Sequence, residues 1–151
     1  MVTRDSGTAS GRARYKTLLG EAVWSTPAPG VVLVRYRGHA EVALYEPIAK
    51  EMDRQVAQFP KVRLFVDFEE LASYDTEFRT RWTDWFRRNH SHLEHSYILQ
   101  RSALVKMGVQ LVNLFIGEIL LPVTEREEFE RKLEEAVRST RGALPSERAP
   151  D

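Results

Sequence analysis

KVRLFVDFEELASYDTEF, residues 61–78, is the stretch whose reading decides the fold. Val62, Leu64, Phe65, Val66 and Phe68 form an apolar run of strand length, broken by Arg63 and Asp67. Such near-continuous runs mark strands covered on both faces. Glu69, Glu70, Ser73, Tyr74 and Asp75 follow and read as an acidic loop. Thr76 then opens a helix, with Phe78, Trp82, Trp85 and Phe86 recurring on one helical face. Strand, loop and helix in this order are the repeating unit of an open α/β sheet. The loops at the carboxyl ends of its parallel strands are where such sheets meet ligands and partners.

Upstream, residues 22–25 and 31–36 predict two strands joined across Pro27, Pro29 and Gly30 as an opening hairpin. Gly38 is expected to end the second strand. Leu44, Ile48, Met52, Val56 and Phe59 recur at helical spacing and predict a helix over residues 46–58, with Pro47 in its first turn and Pro60 beyond its end. Downstream, the helix opened by Asp75 or Thr76 is expected to run to Asn89, followed by a polar stretch and a short strand over residues 97–100. Ser102 and Gly117 bracket a third helix, and residues 119–123 make a last strand. Thr124 and Glu127 form a capping-box pattern ahead of the stripe Phe129, Leu133, Ala136 and Val137. Residues 1–14 and 139–151, rich in Gly, Ser, Thr, Pro and Arg, read as tails around one domain over residues 15–138. The order β-β-α-β-α-β-α-β-α implies an α/β fold: a mostly parallel sheet of about five strands with an edge hairpin and four helices.

Composition narrows the function classes. The 22 Lys and Arg are balanced by 22 Asp and Glu, so no positive field favours nucleic acid. Absence of cysteine excludes a disulfide framework, thiolate metal sites and a cysteine nucleophile, in keeping with a cytoplasmic protein. The amino terminus has no apolar signal-peptide core. The long apolar region 103–123 is interrupted by Lys106, Gln110, Asn113, Glu118 and Pro122, which argues against membrane insertion.

With the element order in place, Val66-Asp67-Phe68 and the turn Tyr74-Asp75-Thr76-Glu77-Phe78 carry a resemblance. The chain resembles the STAS family of anti-sigma-factor antagonists, and in particular its divergent SpoIIAA-like members. In that family an Asp-Ser-Ser-Gly turn opens the helix after the strand, and a partner kinase phosphorylates the second hydroxyl residue. Matched residue by residue, Asp75 keeps the aspartate and Thr76 the first hydroxyl, while Glu77 stands in place of the phosphorylated residue and Phe78 in place of the glycine. A permanent carboxylate at residue 77 either mimics the phosphorylated state or simply favours the helix amino terminus. The resemblance implies a non-enzymatic regulator that binds a signalling protein such as an anti-sigma kinase, without a cofactor.

The expected contact surface comprises Glu69, Glu70, Ser73, Tyr74, Asp75, Thr76, Glu77, Arg79 and Arg81. Its plain alternative is an ordinary helix cap with an acidic first turn. The aromatic stripe is core at helical spacing, or a partner groove should Trp82 or Trp85 be exposed. Two other functions use the same elements. A carrier of an apolar or lipid-like molecule, as in SEC14-type folds, needs an enclosed cavity of roughly a few hundred Å³; a dedicated inhibitor or immunity protein for one partner needs only the surface. His90, His92 and His95 read as a solvated loop rather than a metal site. Glu69 and Glu70 point apart as sequence neighbours, and no G-x-S-x-G pattern accompanies them, so no catalytic residue is expected.

Overall fold

The structure, a computed structural model, describes residues 2–5 and 11–143. The tails expected over residue 1, residues 6–10 and residues 144–151 lie outside them. The strands are β1 (Val2–Asp5), β2 (Arg12–Lys16), β3 (Gly20–Ala28), β4 (Val31–Ala40), β5 (Arg63–Tyr74), β6 (Ser96–Leu99) and β7 (Leu120–Val123). The helices are α1 (Glu46–Gln58), α2 (Thr76–Asn89), α3 (Ala103–Ile116) and α4 (Arg126–Ala143). The strands form one sheet in simple sequential order from β1 to β7. Pairing is antiparallel from β1 to β4 and parallel from β4 to β7, so one half is a meander and the other a run of β-α-β crossovers.

The apolar run read from residues 61–78 is covered on both faces. Leu64 and Val66 join the large core beneath α1, α2 and α3, which includes Trp24, Val34, Ile48, Met52, Trp85 and Val109. Phe65, pointing the other way, joins a smaller cluster with Val31, Leu99, Val123, Phe129 and Ala136 beneath α4. The period of two along a strand is what sends these neighbours to opposite layers.

Three expectations are corrected. First, residues 69–74 are strand, not loop. β5 pairs with β4 from Val31↔Arg63 to Ala40↔Tyr74, with two register irregularities. Gly38 does not end β4; it sits within it at φ 75°, where a Cβ would come within 2.5 Å of the Leu19 carbonyl oxygen. Glycine passes this irregular point without strain, so the ladder continues. Second, among the described residues the sheet has seven strands rather than about five, because β1 and β2 extend the meander into residues read as tail. β2 belongs to the packed structure: Ala13 is buried and Tyr15 lies against the core. Third, α4 continues to Ala143, past the expected boundary at residue 138. It begins at Arg126, with the Glu125 carbonyl accepting from the Phe129 amide, so Thr124 lies one residue too early to cap it. The bounds of α1 and α2 and the closure of α3 at Gly117 match expectation.

Candidate functional site

The parallel strands β4 and β5 deliver their carboxyl ends to the amino terminus of α2, and three polar side chains meet there. His39 and Ser73 are directly opposite each other in the ladder. The His39 ring bonds Ser73 Oγ through Nδ1 at 2.7 Å and the Asp75 carboxylate through Nε2 at 2.8 Å. With Nε2–H donating to Asp75, the neutral ring accepts the Ser73 hydroxyl at Nδ1.

Asp75 occupies the cap position of α2, with φ −78° and ψ 147°, yet its side chain caps nothing. The carboxylate is taken by His39, and the Asp75 amide donates to the Ala40 carbonyl. The first turn therefore begins at Thr76 and Glu77, both exposed, without a side-chain acceptor from the cap residue. Free amides and the positive end of the helix dipole make such a terminus favourable for negative charge, and Glu77 supplies some of it.

The remaining expected surface residues are divided. Thr76 to Arg81 surround the head of α2: the Thr76 carbonyl accepts from Thr80 at 2.9 Å, Glu77 pairs loosely with Arg81 at 3.7 Å, and the Arg81 guanidinium lies 5.8 Å from the Tyr45 ring centroid. Tyr74 turns beneath α3, its hydroxyl donating to the Leu104 carbonyl at 3.4 Å. Glu69 and Glu70 are bound into ion pairs. Glu70 accepts from Arg37 at 2.6 Å. Glu69 pairs with Arg101 at 3.1 Å and with Arg126, which also holds the buried Asp67 at 2.7 Å, while Arg35 reaches Asp67 at 3.3 Å. Hydrogen bonding to Asp67 above all, opposed by burial and reinforced by Glu69 and Glu130, raises the Arg126 pKa further above its ordinary range. This network fastens α4 to the sheet. Glu69 and Glu70 are thus drawn away from Ser73 and Asp75.

Sequence reading missed His39, the residue that joins the site. Its one signal was a polar side chain just after Gly38, and the expected strand end at Gly38 concealed it. The aromatic stripe is core: Phe78, Trp82, Trp85 and Phe86 are all buried, and Trp85 Nε1 donates to Asp53 at 2.8 Å. Burial of both tryptophans leaves no aromatic groove on α2. Of the three loop histidines, His90 bonds the Arg87 carbonyl at 3.1 Å, and among the described residues no group of three or more His, Cys, Asp or Glu is placed to share a metal ion.

An apolar cavity of about 70 Å³ lies between the sheet and helices α2 and α3, lined by Tyr36, Phe68, Tyr74, Phe78 and Val109 among others. The Tyr36 hydroxyl is buried without a hydrogen-bond partner of normal geometry. Burial raises its pKa far above the ordinary phenol range, an effect the Trp82 indole offsets only in part. Among the described residues no helix is long and apolar enough to cross a membrane.

No family model matches the chain, and no curated protein matches it. Solved structures do. An uncharacterised protein from Shewanella loihica, of the DUF3478 family with a SpoIIAA-like fold, aligns with a TM-score of 0.55 at 10% identity, over 87% of this chain and 93% of its own. The Bacillus cell fate determinant SpoIIAA in its phosphorylated form aligns with a TM-score of 0.53 at 18% identity, over 72% of this chain and 96% of its own. The anti-sigma factor antagonist SpoIIAA in its unphosphorylated form gives 0.50 at 18%, over 80% and 96%. The chain therefore has a SpoIIAA-like, STAS-type α/β fold, as the resemblance implied.

Proposed function

We propose that this protein is a non-enzymatic, cytoplasmic regulatory module that binds a signalling protein through the head of α2, the partner class being one related to an anti-sigma kinase. The observation that carries this reading is the diversion of Asp75 to His39, which leaves exposed Thr76 and Glu77 leading the helix at the carboxyl end of the parallel strands. The contact surface comprises Ser73, Asp75, Thr76, Glu77, Arg79 and Arg81; Glu69 and Glu70, engaged by arginines, and Tyr74, turned beneath α3, are not part of it. Glu77 gives the turn a fixed negative charge where the family carries a switchable one, so the module acts as a constitutive binder. Inhibition of one dedicated partner would use the same surface. The fold likeness to an anti-sigma factor antagonist supports the partner class. The carrier reading is less well supported, since a cavity of about 70 Å³ is far smaller than a lipid-like ligand requires.

The test is affinity capture from the source cells with wild type and with an Asp75→Ala, Thr76→Ala, Glu77→Ala variant shown by circular dichroism to fold. A signalling protein retained by wild type and lost by the variant is the expected result, with amide-exchange protection of residues 73–81 in the purified complex. Equal recovery by both proteins would remove this surface from consideration. A lipid co-purifying with the chain in native mass spectrometry would return the carrier.

A further inference from the structure

Helix α3 carries an apolar face that is largely open among the described residues; only its carboxyl-terminal end is met, by the Arg87 guanidinium 5.6 Å from the Phe115 ring centroid. Leu104, Met107, Leu114 and Phe115 are 41%, 56%, 77% and 59% exposed, and Leu111 between them is half-buried. The other large hydrophobics exposed among the described residues are Leu18 and Leu19, on the turn between β2 and β3. The opposite face, with Val105, Gly108, Val109 and Val112, is the one packed on the protein. A surface helix normally has a charged outer face. The fourteen residues of α3 contain one charge, Lys106.

The spacing of the exposed set identifies the occupant. Leu104, Met107, Leu111 and Leu114 follow one another by three, four and three residues, the a-d-a-d interval of a coiled-coil seam. We propose that this seam seats a second copy of the chain, with α3 antiparallel to α3 about a two-fold axis near residue 109. In that register Leu104 of one copy packs against Leu114 of the other and Met107 against Leu111. The same two-fold brings Arg101, just before α3, beside Glu118, just after it, once at each end. Their charges are opposite and both are exposed; Arg101, which already pairs with Glu69 at 3.1 Å within its own chain, keeps about half of its side chain open to a second carboxylate. An isologous contact requires such self-complementarity. A helix that lies on a lipid surface is instead rich in Lys and Arg on its polar face, and α3 has its single lysine. The seam residues are distinct from Thr76, Glu77, Arg79 and Arg81 at the head of α2, and the two surfaces meet where the Tyr74 hydroxyl donates to the Leu104 carbonyl.

Sedimentation equilibrium of the full chain is expected to show a concentration-dependent monomer–dimer equilibrium. Leu114→Glu, at a position already 77% exposed and so harmless to the core, should weaken it by at least about tenfold; Glu118→Arg should weaken it by apposing Arg101 with a like charge. The chain has no cysteine, so register can be read by oxidation. Met107→Cys mixed with Leu111→Cys should give a covalent dimer, and each variant alone should not. A monomer at all attainable concentrations, a dimer indifferent to Leu114→Glu, or self-linkage of Met107→Cys would overturn the proposal. So would a monomer that floats with phosphatidylglycerol vesicles and loses this on Leu114→Glu, which would make the face a lipid contact.

Discussion

Tyr36 is a phenol enclosed by apolar side chains, stacked near Phe68 and edge-on to Phe78, with its hydroxyl unpaired. An unsatisfied buried hydroxyl costs stability, so Tyr36→Phe should be neutral or stabilising by about 1 kcal/mol at neutral pH, measured by urea unfolding. The same burial sets a pH dependence. The folded-state pKa lies above that of an exposed tyrosine, about 10, so above this pH the native chain retains a proton that the unfolded chain has released. Stability must then fall as pH rises, by up to about 1.4 kcal/mol per unit for this group. Tyr45, raised mainly by its burial, adds a lesser loss. Unfolding from pH 8 to 11 should show the decline in wild type and a shallower one in Tyr36→Phe. Tyr74 and Gly108 make a second residue-scale case. A Cβ at residue 108 would approach the Tyr74 hydroxyl to 2.5 Å, so Gly108→Ala should cost about 1–3 kcal/mol by overpacking, and Tyr74→Phe in the same chain should recover part of it.

At the scale of elements, α4 is the one helix on its face of the sheet among the described residues, with Phe129 and Ala136 packed on Phe65 and Leu99. Arg126 in its first turn secures it by bonding Asp67, which is 2% exposed. Arg126→Met removes a cation that holds this carboxylate more closely than Arg35 does. The expected cost is about 1–3 kcal/mol, below that of breaking a fully buried pair because Arg126 is itself one-third exposed and Arg35 remains. Adding Asp67→Asn should restore most of the loss, since the uncompensated charge is then gone. Chemical denaturation of the two single variants and the double variant checks this. The head of α2 differs in kind. Its cap residue is committed to His39, so His39→Ala should free Asp75 to cap α2 and lower partner capture while changing thermal stability little, by about 1 kcal/mol or less.

At the scale of the molecule, three helices on one face and one on the other make a three-layer sandwich whose meander half ends in β1 and β2. These two strands contribute unequally. Ala13 of β2 is buried and Tyr15 packs on the core, while β1 stands at the edge of the sheet among the described residues, hydrogen-bonded to β2. Removal of residues 1–11 should move the thermal midpoint by only a few degrees. Removal of residues 1–17 should lower it much further and promote aggregation, because it uncovers the long edge of β3. Differential scanning calorimetry with light scattering distinguishes the two truncations.

The local signals of this chain are strong where one rule governs them. Period-3.6 stripes, Pro47 near the start of α1, the Ser102 cap and Gly117 with φ 84° located the helices, and the apolar run at Val62–Phe68 marked a strand covered on both faces. These depend on contacts within a few residues or on the hydrophobic layer a residue must reach, and so the α/β class was legible in the sequence alone. The length of β5, the strand identity of β2 and the meeting of His39, Ser73 and Asp75 depend on partners 34 and 36 residues apart or on a neighbouring edge. A polar segment such as Glu69–Tyr74 has no inherent preference for strand; it becomes strand because β4 lies beside it with unpaired amides and carbonyls, which only the folded sheet can supply.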